Sequence, residues 1–234
     1  ALLFVSVVRL PGAGATATAP DPPAGSVRRL RVSAPLLLLL AASLVGGLVQ
    51  RGVVYFMPRL LSEHLDAARV EWLGAATSWL AVKKGSYALG ALVTTLALFI
   101  GMIAQWWGGK LADRWPRPRV FAVTSVLLGP LVLALALTQD HALFAAAIGF
   151  TFLFYLQQPL ITSIGADLVD KQRHGALYGA LFTMSFGLGS FSVEIGSRMT
   201  TAWGISSAYR GFAGIAAALV PVGLGLLWAT RARQ

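Results

Sequence analysis

Two charged residues stand well inside stretches that are otherwise apolar except near their ends. Arg51 falls within an apolar helix expected over 35–61, and Glu194 within another expected over 175–200. At about 1.5 Å of rise per residue, they lie about 24 Å and about 28 Å from the same end of the bundle. A lone charge in hydrocarbon costs several kcal/mol, and an opposite charge or a charged ligand offsets that cost. The chemistry open to the two is an ion pair, or a joint hold on a charged solute or a proton. Two local readings compete: a Glu194–Arg198 pair one turn apart, and extension of the Arg51 side chain to the membrane surface. Gln50 and Tyr55 flank Arg51, and Ser190 precedes Glu194 by one turn. Tyr155, Gln158 and Thr162 add hydrogen-bonding groups from a third helix. Arg51, Glu194, Gln50, Tyr55, Tyr155, Gln158, Thr162 and Ser190 are therefore the candidates for contact with a solute or a coupling ion.

Helical spacing gathers these groups into stripes. Thr151, Tyr155, Gln158 and Thr162 fall on one helix face, as do Thr183, Gly187, Ser190, Glu194 and Ser197. Ser43, Gly47 and Gln50 share a face with Arg51 and Tyr55 beside it, and Tyr87, Thr94, Gly101 and Gln105 share another. By contrast, 119–138 offers only Thr124, Ser125 and Thr138, and 211–229 only Trp228. Polar groups in hydrocarbon need partners or water. Four helices should face a cavity and two should face lipid. The competing reading is that each stripe serves only inter-helix hydrogen bonds.

The elements that carry the stripes follow from composition. Hydrophobic residues make up 56% of the chain and charged ones 12%, about half the charge of a soluble domain. Six runs lack Asp, Glu, Lys and Arg: Val32–Gln50, Gly85–Gly109, Val120–Gln139, His141–Ala166, His174–Val193 and Gly211–Thr230. Each is long enough to cross about 30 Å of hydrocarbon, where backbone groups must bond internally, so each should be a helix. The expected fold class is all-α, a polytopic bundle of six transmembrane helices over about 35–61, 86–109, 119–138, 142–166, 175–200 and 208–230. The loop 62–84 carries Trp72, Leu73, Trp79 and Leu80 at helical spacing, which suits a short interfacial helix or an irregular loop.

The net charge of +10 is explained by topology. Lys and Arg favour one side of a six-helix zigzag by about two to one, and that side is taken as cytoplasmic. No separate basic domain exists to bind nucleic acid. The seven Trp residues sit near helix ends or in loops, where amphipathic rings prefer the interface. Cysteine is absent, so no thiolate chemistry is available. His64, His141 and His174 stand at helix borders without metal-ligand spacing. No HExxH, GxSxG, P-loop or nucleotide fingerprint is present. Asp167 and Asp170 read as a solvated turn beside Lys171 and Arg173. Neither an enzyme, nor a cofactor, nor a metal is expected.

Ala1–Val8 is apolar and ends at Arg9, and Pro11–Ser26 is rich in Pro, Gly, Ala and Thr. The reading is a helix tail over 1–10, a cytoplasmic linker over 11–34, the six-helix domain over 35–230 and a cytoplasmic tail over 231–234.

Between the second and third helices stands Gly109-Lys110-Leu111-Ala112-Asp113-Arg114-Trp115-Pro116-Arg117-Pro118-Arg119. It resembles the inner-loop signature of the major facilitator superfamily of transporters: Gly109, Leu111, Asp113, Arg114 and Arg117 match, while Pro116 replaces a usual Gly and Pro118 a usual basic residue. The Asp can cap a neighbouring helix and the Arg residues can hold carbonyls, carboxylates or headgroups. The loop then works as a gating latch, or its arginines only set topology. The resemblance implies a C-terminal half whose N-terminal six-helix partner is missing. It implies cavity-lining first, second, fourth and fifth helices, and a secondary active transporter of a small solute by alternating access. Proton coupling through Glu194 and residence in the plasma membrane belong to the same expectation. A non-transporting receptor or scaffold, and a half-size transporter acting as a dimer, are the alternatives.

Overall fold

The computed structural model describes residues 33–65 and 87–231. The expectations for 1–32, for the 66–86 stretch with Trp72 and Trp79, and for 232–234 lie outside the described residues. Among the described residues, six helical spans are long and apolar enough to cross a membrane: Ala34–His64, Tyr87–Arg114, Arg117–Leu137, Asp140–Leu168, Lys171–Trp203 and Ile205–Thr230. They are called the first to sixth spans below.

From the second span onward the links are short. Trp115 and Pro116 join the second span to the third, and Thr138 and Gln139 join the third to the fourth. A single residue, Gly204, joins the fifth to the sixth. Gly204 has φ +82°, where a Cβ would clash with the backbone. Asp140 opens the fourth span at φ 50°, a conformation that Asp tolerates better than most residues. Pro35 and Pro118 sit in first turns, where a missing N–H leaves no helical bond unmade.

Three boundaries differ from the sequence reading. The second span runs on to Arg114 rather than stopping at Gly109, so most of the matched motif is the last turn of a helix and not a loop. Ala112 is buried there, and its contacts carry the helix onward. The sixth span is two helices, Ile205–Ala217 and Leu219–Arg231. Pro221 has no N–H to offer the Ala217 carbonyl, and the chain closes instead with a tighter bond from Ala218 N–H to the Ile215 carbonyl, 3.0 Å. The fifth span is not uniform either. After His174–Phe182, a π turn occupies Thr183–Gly187 and a 3₁₀ turn Leu188–Ser190, before the α-helix resumes over Phe191–Trp203.

Lipid is as apolar as a leucine side chain, so these helices associate through close packing and hydrogen bonds rather than by escape from water. The first span is central and touches the second, fourth, fifth and sixth. The second span lays Gly90, Thr94, Ala97, Gly101, Ala104, Gly108 and Ala112, all buried, against its neighbours. A methyl group on Gly108 would run into the Leu156 carbonyl and the Pro159 ring, and one on Gly101 into the Tyr155 ring. Small residues thus let the second and fourth spans meet nearly backbone to backbone. Gly47 does the same for the first and fifth spans: a Cβ there would collide with the backbone of Ser185, in the π turn. The fully buried rings Phe121, Phe150, Phe154, Tyr209 and Phe212 fill the interior. Tyr209 Oη donates to the Val53 carbonyl at 2.8 Å, which satisfies its hydroxyl.

Candidate solute-binding face

The spans expose two kinds of surface. The third span exposes Val123, Val126, Leu127, Leu133 and Leu137. The sixth exposes Gly214, Ala217, Ala218, Pro221, Leu224 and Trp228 along its length, with Arg210 near Gly204. The fifth exposes Thr183, Ser190, Glu194 and Ser197 together with the apolar Phe182, Phe186, Leu188, Phe191 and Ile195. A side of mixed polar and apolar character is formed by residues of the first, second, fourth and fifth spans, with Met102, Trp106 and Phe182 exposed among its polar groups.

Two hollows open on that side. One, the upper hollow, of about 350 Å³, is lined by Gln50, Arg51, Val54, Tyr55, Tyr155, Ser190 and Val193. The other, of about 500 Å³, lies nearer the basic end and is lined by Met102, Gln105, Trp106, Gln158, Pro159, Thr162 and Phe182. Five of the eight candidates therefore meet in the first hollow, and Gln158 and Thr162 in the second. Glu194 lines neither. Gln50 Nε2 donates to Tyr155 Oη at 3.3 Å, tying the first span to the fourth. Ser190 Oγ donates to the Phe186 carbonyl at 2.5 Å. The Arg51 guanidinium lies over the Phe186 ring, 4.4 Å from its centroid. Phe186 in turn meets Phe182, with centroids 5.5 Å apart. Arg51, which lines the first hollow, thus connects through Phe186 to Phe182, which lines the second, the two rings being tilted at 45°.

The partner found for Glu194 is Arg198, with Arg198 Nε 2.7 Å from Glu194 Oε1. The local i,i+4 reading is the one realised, and an Arg51–Glu194 ion pair is not. Arg51 does not reach out to the surface either. It stacks within the bundle, and its buried Nε has no hydrogen-bond partner.

Several stripe members are satisfied by helix backbones. Ser43 Oγ donates across to the Leu181 carbonyl at 2.9 Å, while Thr94 and Thr151 donate to Gly90 and Ala147 one turn back. For these residues the inter-helix or local bond is the whole account.

At the basic end the work falls on Arg117. Its Nε donates to the Ala112 carbonyl at 3.2 Å, capping the second span, and its Nη1 meets Asp167 Oδ2 of the fourth span at 2.6 Å. Asp113 and Arg114 are exposed. Leu111 packs partly buried against Ala104, Ala112, Val120, Leu156 and Leu160. A Cβ on Gly109 would meet open space. A hollow of about 380 Å³ lies beside the Arg117–Asp167 pair, reaching Thr230 of the sixth span.

Three residues escaped the sequence reading. Asp167, taken there for a solvated turn residue, is the Arg117 partner. An acid closing one helix opposite an Arg-rich helix end was the available signal. Gln157 is buried and donates to Thr124 Oγ1 at 2.8 Å and Ser125 Oγ at 3.3 Å. The only two polar groups within the third span called for such a partner. Phe186 gave no signal, because an aromatic ring on an apolar helix is ordinary.

Comparison with known proteins places this geometry. The profile of the Major Facilitator Superfamily matches residues 1–194. Among solved structures, a variant of the E. coli fucose:proton symporter FucP shares the fold with a TM-score of 0.62, at 16% identity over 81% of this chain and 42% of that one. A second structure of FucP, a Major Facilitator Superfamily transporter in the outward conformation, gives 0.60, at 18% identity over 81% and 42%. The chain thus spans less than half the length of these structures, and at such identities the likeness is one of fold. No curated protein matches the sequence. With the profile covering most of its length and the six-span bundle in place, the chain is an integral membrane protein that belongs to the Major Facilitator Superfamily.

Proposed function

We propose that this chain acts as one six-helix half of a secondary active transporter, which carries a small solute across the membrane by alternating access. The observation that carries the reading is the gathering of seven separately chosen polar residues into two hollows on one side of the bundle. The first, second, fourth and fifth spans line the solute path, and the third and sixth face lipid. A second six-helix unit closes the open side. The end that holds Arg114, Arg117 and Arg119 is cytoplasmic, in the plasma membrane, because Lys and Arg concentrate there. The Arg117–Asp167 pair ties the second and third spans to the fourth at that end, as a latch on one conformation. Glu194 is the coupling group, since it is the acid of the fifth span's polar stripe and follows Val193, which lines the hollow that holds Arg51. No enzymatic step and no cofactor enters this reading.

The test is flux in proteoliposomes made with the full-length gene product, under an imposed proton or solute gradient. Arg51→Ala and Glu194→Gln should each cut flux severely while protein folding is retained. Undiminished flux from both variants overturns the site assignment, and no flux from the wild type under any gradient overturns the transporter reading.

A further inference from the structure

Arg51 sits 17 residues beyond Ala34 and 13 before His64, about 26 Å and about 20 Å from the two ends of its helix. It is therefore deep in the bilayer, where a cation needs compensation. The ion pairs Arg59–Glu63, Arg117–Asp167 and Arg198–Glu194 are found among the described residues, and none of these three neutralises Arg51. The acid nearest its hollow in sequence, Glu194, is held by Arg198. The contact found for the Arg51 guanidinium is the Phe186 ring. Stacking engages the face of a guanidinium and leaves its in-plane N–H donors unspent, and the buried Nε has no partner. The remaining polar lining of the hollow consists of Gln50, Tyr55, Tyr155 and Ser190, with no acid among the lining residues.

From this we infer that the upper hollow binds the carboxylate of a small monoanionic solute. The Arg51 guanidinium receives the carboxylate in its donor plane, with Phe186 stacked beneath it as a positioning residue. The inference rests on the transporter reading for its physiological meaning, and the binding it asserts is tested separately. A planar fork of donors matches the two oxygens of a carboxylate. One cation balances one negative charge, whereas a doubly charged phosphate would leave a charge unbalanced in a medium of low dielectric. Tyr55 and Tyr155 offer ring surface to an apolar body beside the carboxylate and hydroxyls to its polar substituents.

The experiment is thermal unfolding of the purified full-length gene product in detergent. It is run at mildly alkaline pH, where inorganic phosphate is mostly the dianion, with millimolar benzoate, with its neutral analogue benzamide, and with inorganic phosphate. Benzoate should raise Tm while benzamide and phosphate leave it unmoved. Arg51→Gln should weaken benzoate binding by about tenfold or more, the loss expected for a charge-assisted hydrogen bond. Arg51→Lys should keep part of it. Phe186→Leu, which leaves the cation in place, should weaken benzoate by about threefold without altering the response to benzamide. That variant carries the test if Arg51→Gln does not fold. Equal stabilisation by benzamide, stabilisation by phosphate alone, an Arg51→Gln variant that still responds, or a wild type that benzoate leaves unmoved would each overturn the proposal. Flux of a neutral solute that Arg51→Gln leaves intact would overturn it and spare the transporter reading. Benzoate stabilisation without any flux would support it and remove that reading.

Discussion

At the residue scale, the most consequential side chain of the basic end is Arg117, which bonds a helix terminus and an acid on another span at once. The pair is partly solvated, with 31% of Arg117 and 63% of Asp167 exposed, so its coupling energy should be modest. A double-mutant cycle on Arg117→Ala and Asp167→Ala, read by thermal unfolding, should return a coupling of about 0.2–1 kcal/mol. A coupling of zero would show that the contact does no stabilising. Gln157 presents the opposite case, because it is buried. Gln157→Leu should destabilise the bundle by about 0.6 kcal/mol, the usual size of a hydrogen bond between membrane helices. Thr124 and Ser125 keep their bonds to the Val120 and Phe121 carbonyls, which holds the loss down. The residue types in the hollow were legible in the sequence because helical spacing puts Gln50 beside Arg51 and Tyr155 beside Gln158 on defined faces. The partners were not. Whether Glu194 meets Arg51 or Arg198 depends on how far apart the first and fifth spans stand, and periodicity on one helix carries no distance to another.

At the scale of elements, glycine decides which spans can touch. Gly47→Ala should cost about 1–3 kcal/mol, because its methyl group meets the Ser185 backbone rather than a side chain that can move aside. Gly214→Ala should cost nothing or stabilise slightly, because a Cβ there meets open space and alanine is the better helix former. Equal melting temperatures for the two variants would refute the claim of close approach at Gly47. The fifth span is rich in glycine, but sequence alone does not sort those glycines. Gly175 and Gly179 have free space around a built Cβ, whereas Gly189 and Gly196 press on Gly47 and on Phe56 with Phe212. The π turn at Thr183–Gly187 was equally illegible, since its sequence, TMSFG, breaks no helical rule. Such turns arise where packing against a neighbour wins over the regular ladder, and here that neighbour is Gly47. The break at Ala218 had a written cause in Pro221, and the sequence reading passed over it.

At the scale of the whole molecule, the two kinds of exposed surface make a direct prediction. This chain contributes no cysteine, so single cysteines placed in it report on it once any cysteines elsewhere in the full-length protein are replaced. In the full-length protein, cysteine at Thr162 or Ser190 should react with a membrane-impermeant maleimide. Cysteine at Leu127, Leu133 or Leu224 should not. Reactivity at the leucine positions would show that the third and sixth spans do not face lipid. The six-span count was legible because hydrocarbon thickness sets a length that composition meets six times over. The central place of the first span was not, because apolar runs do not say which of them will be surrounded. The single-residue link at Gly204 has a further consequence, for how the chain enters the membrane. The fifth span is the least hydropathic of the six, and it carries Glu194 and Arg198. Released alone from the insertion machinery, it would pay for two charges with little apolar surplus. With only Gly204 before Ile205, the strongly apolar sixth span follows at once, and the two should partition into lipid together as a helical hairpin. In a glycosylation-mapping assay, the fifth span by itself should therefore insert poorly, and the 171–230 hairpin efficiently.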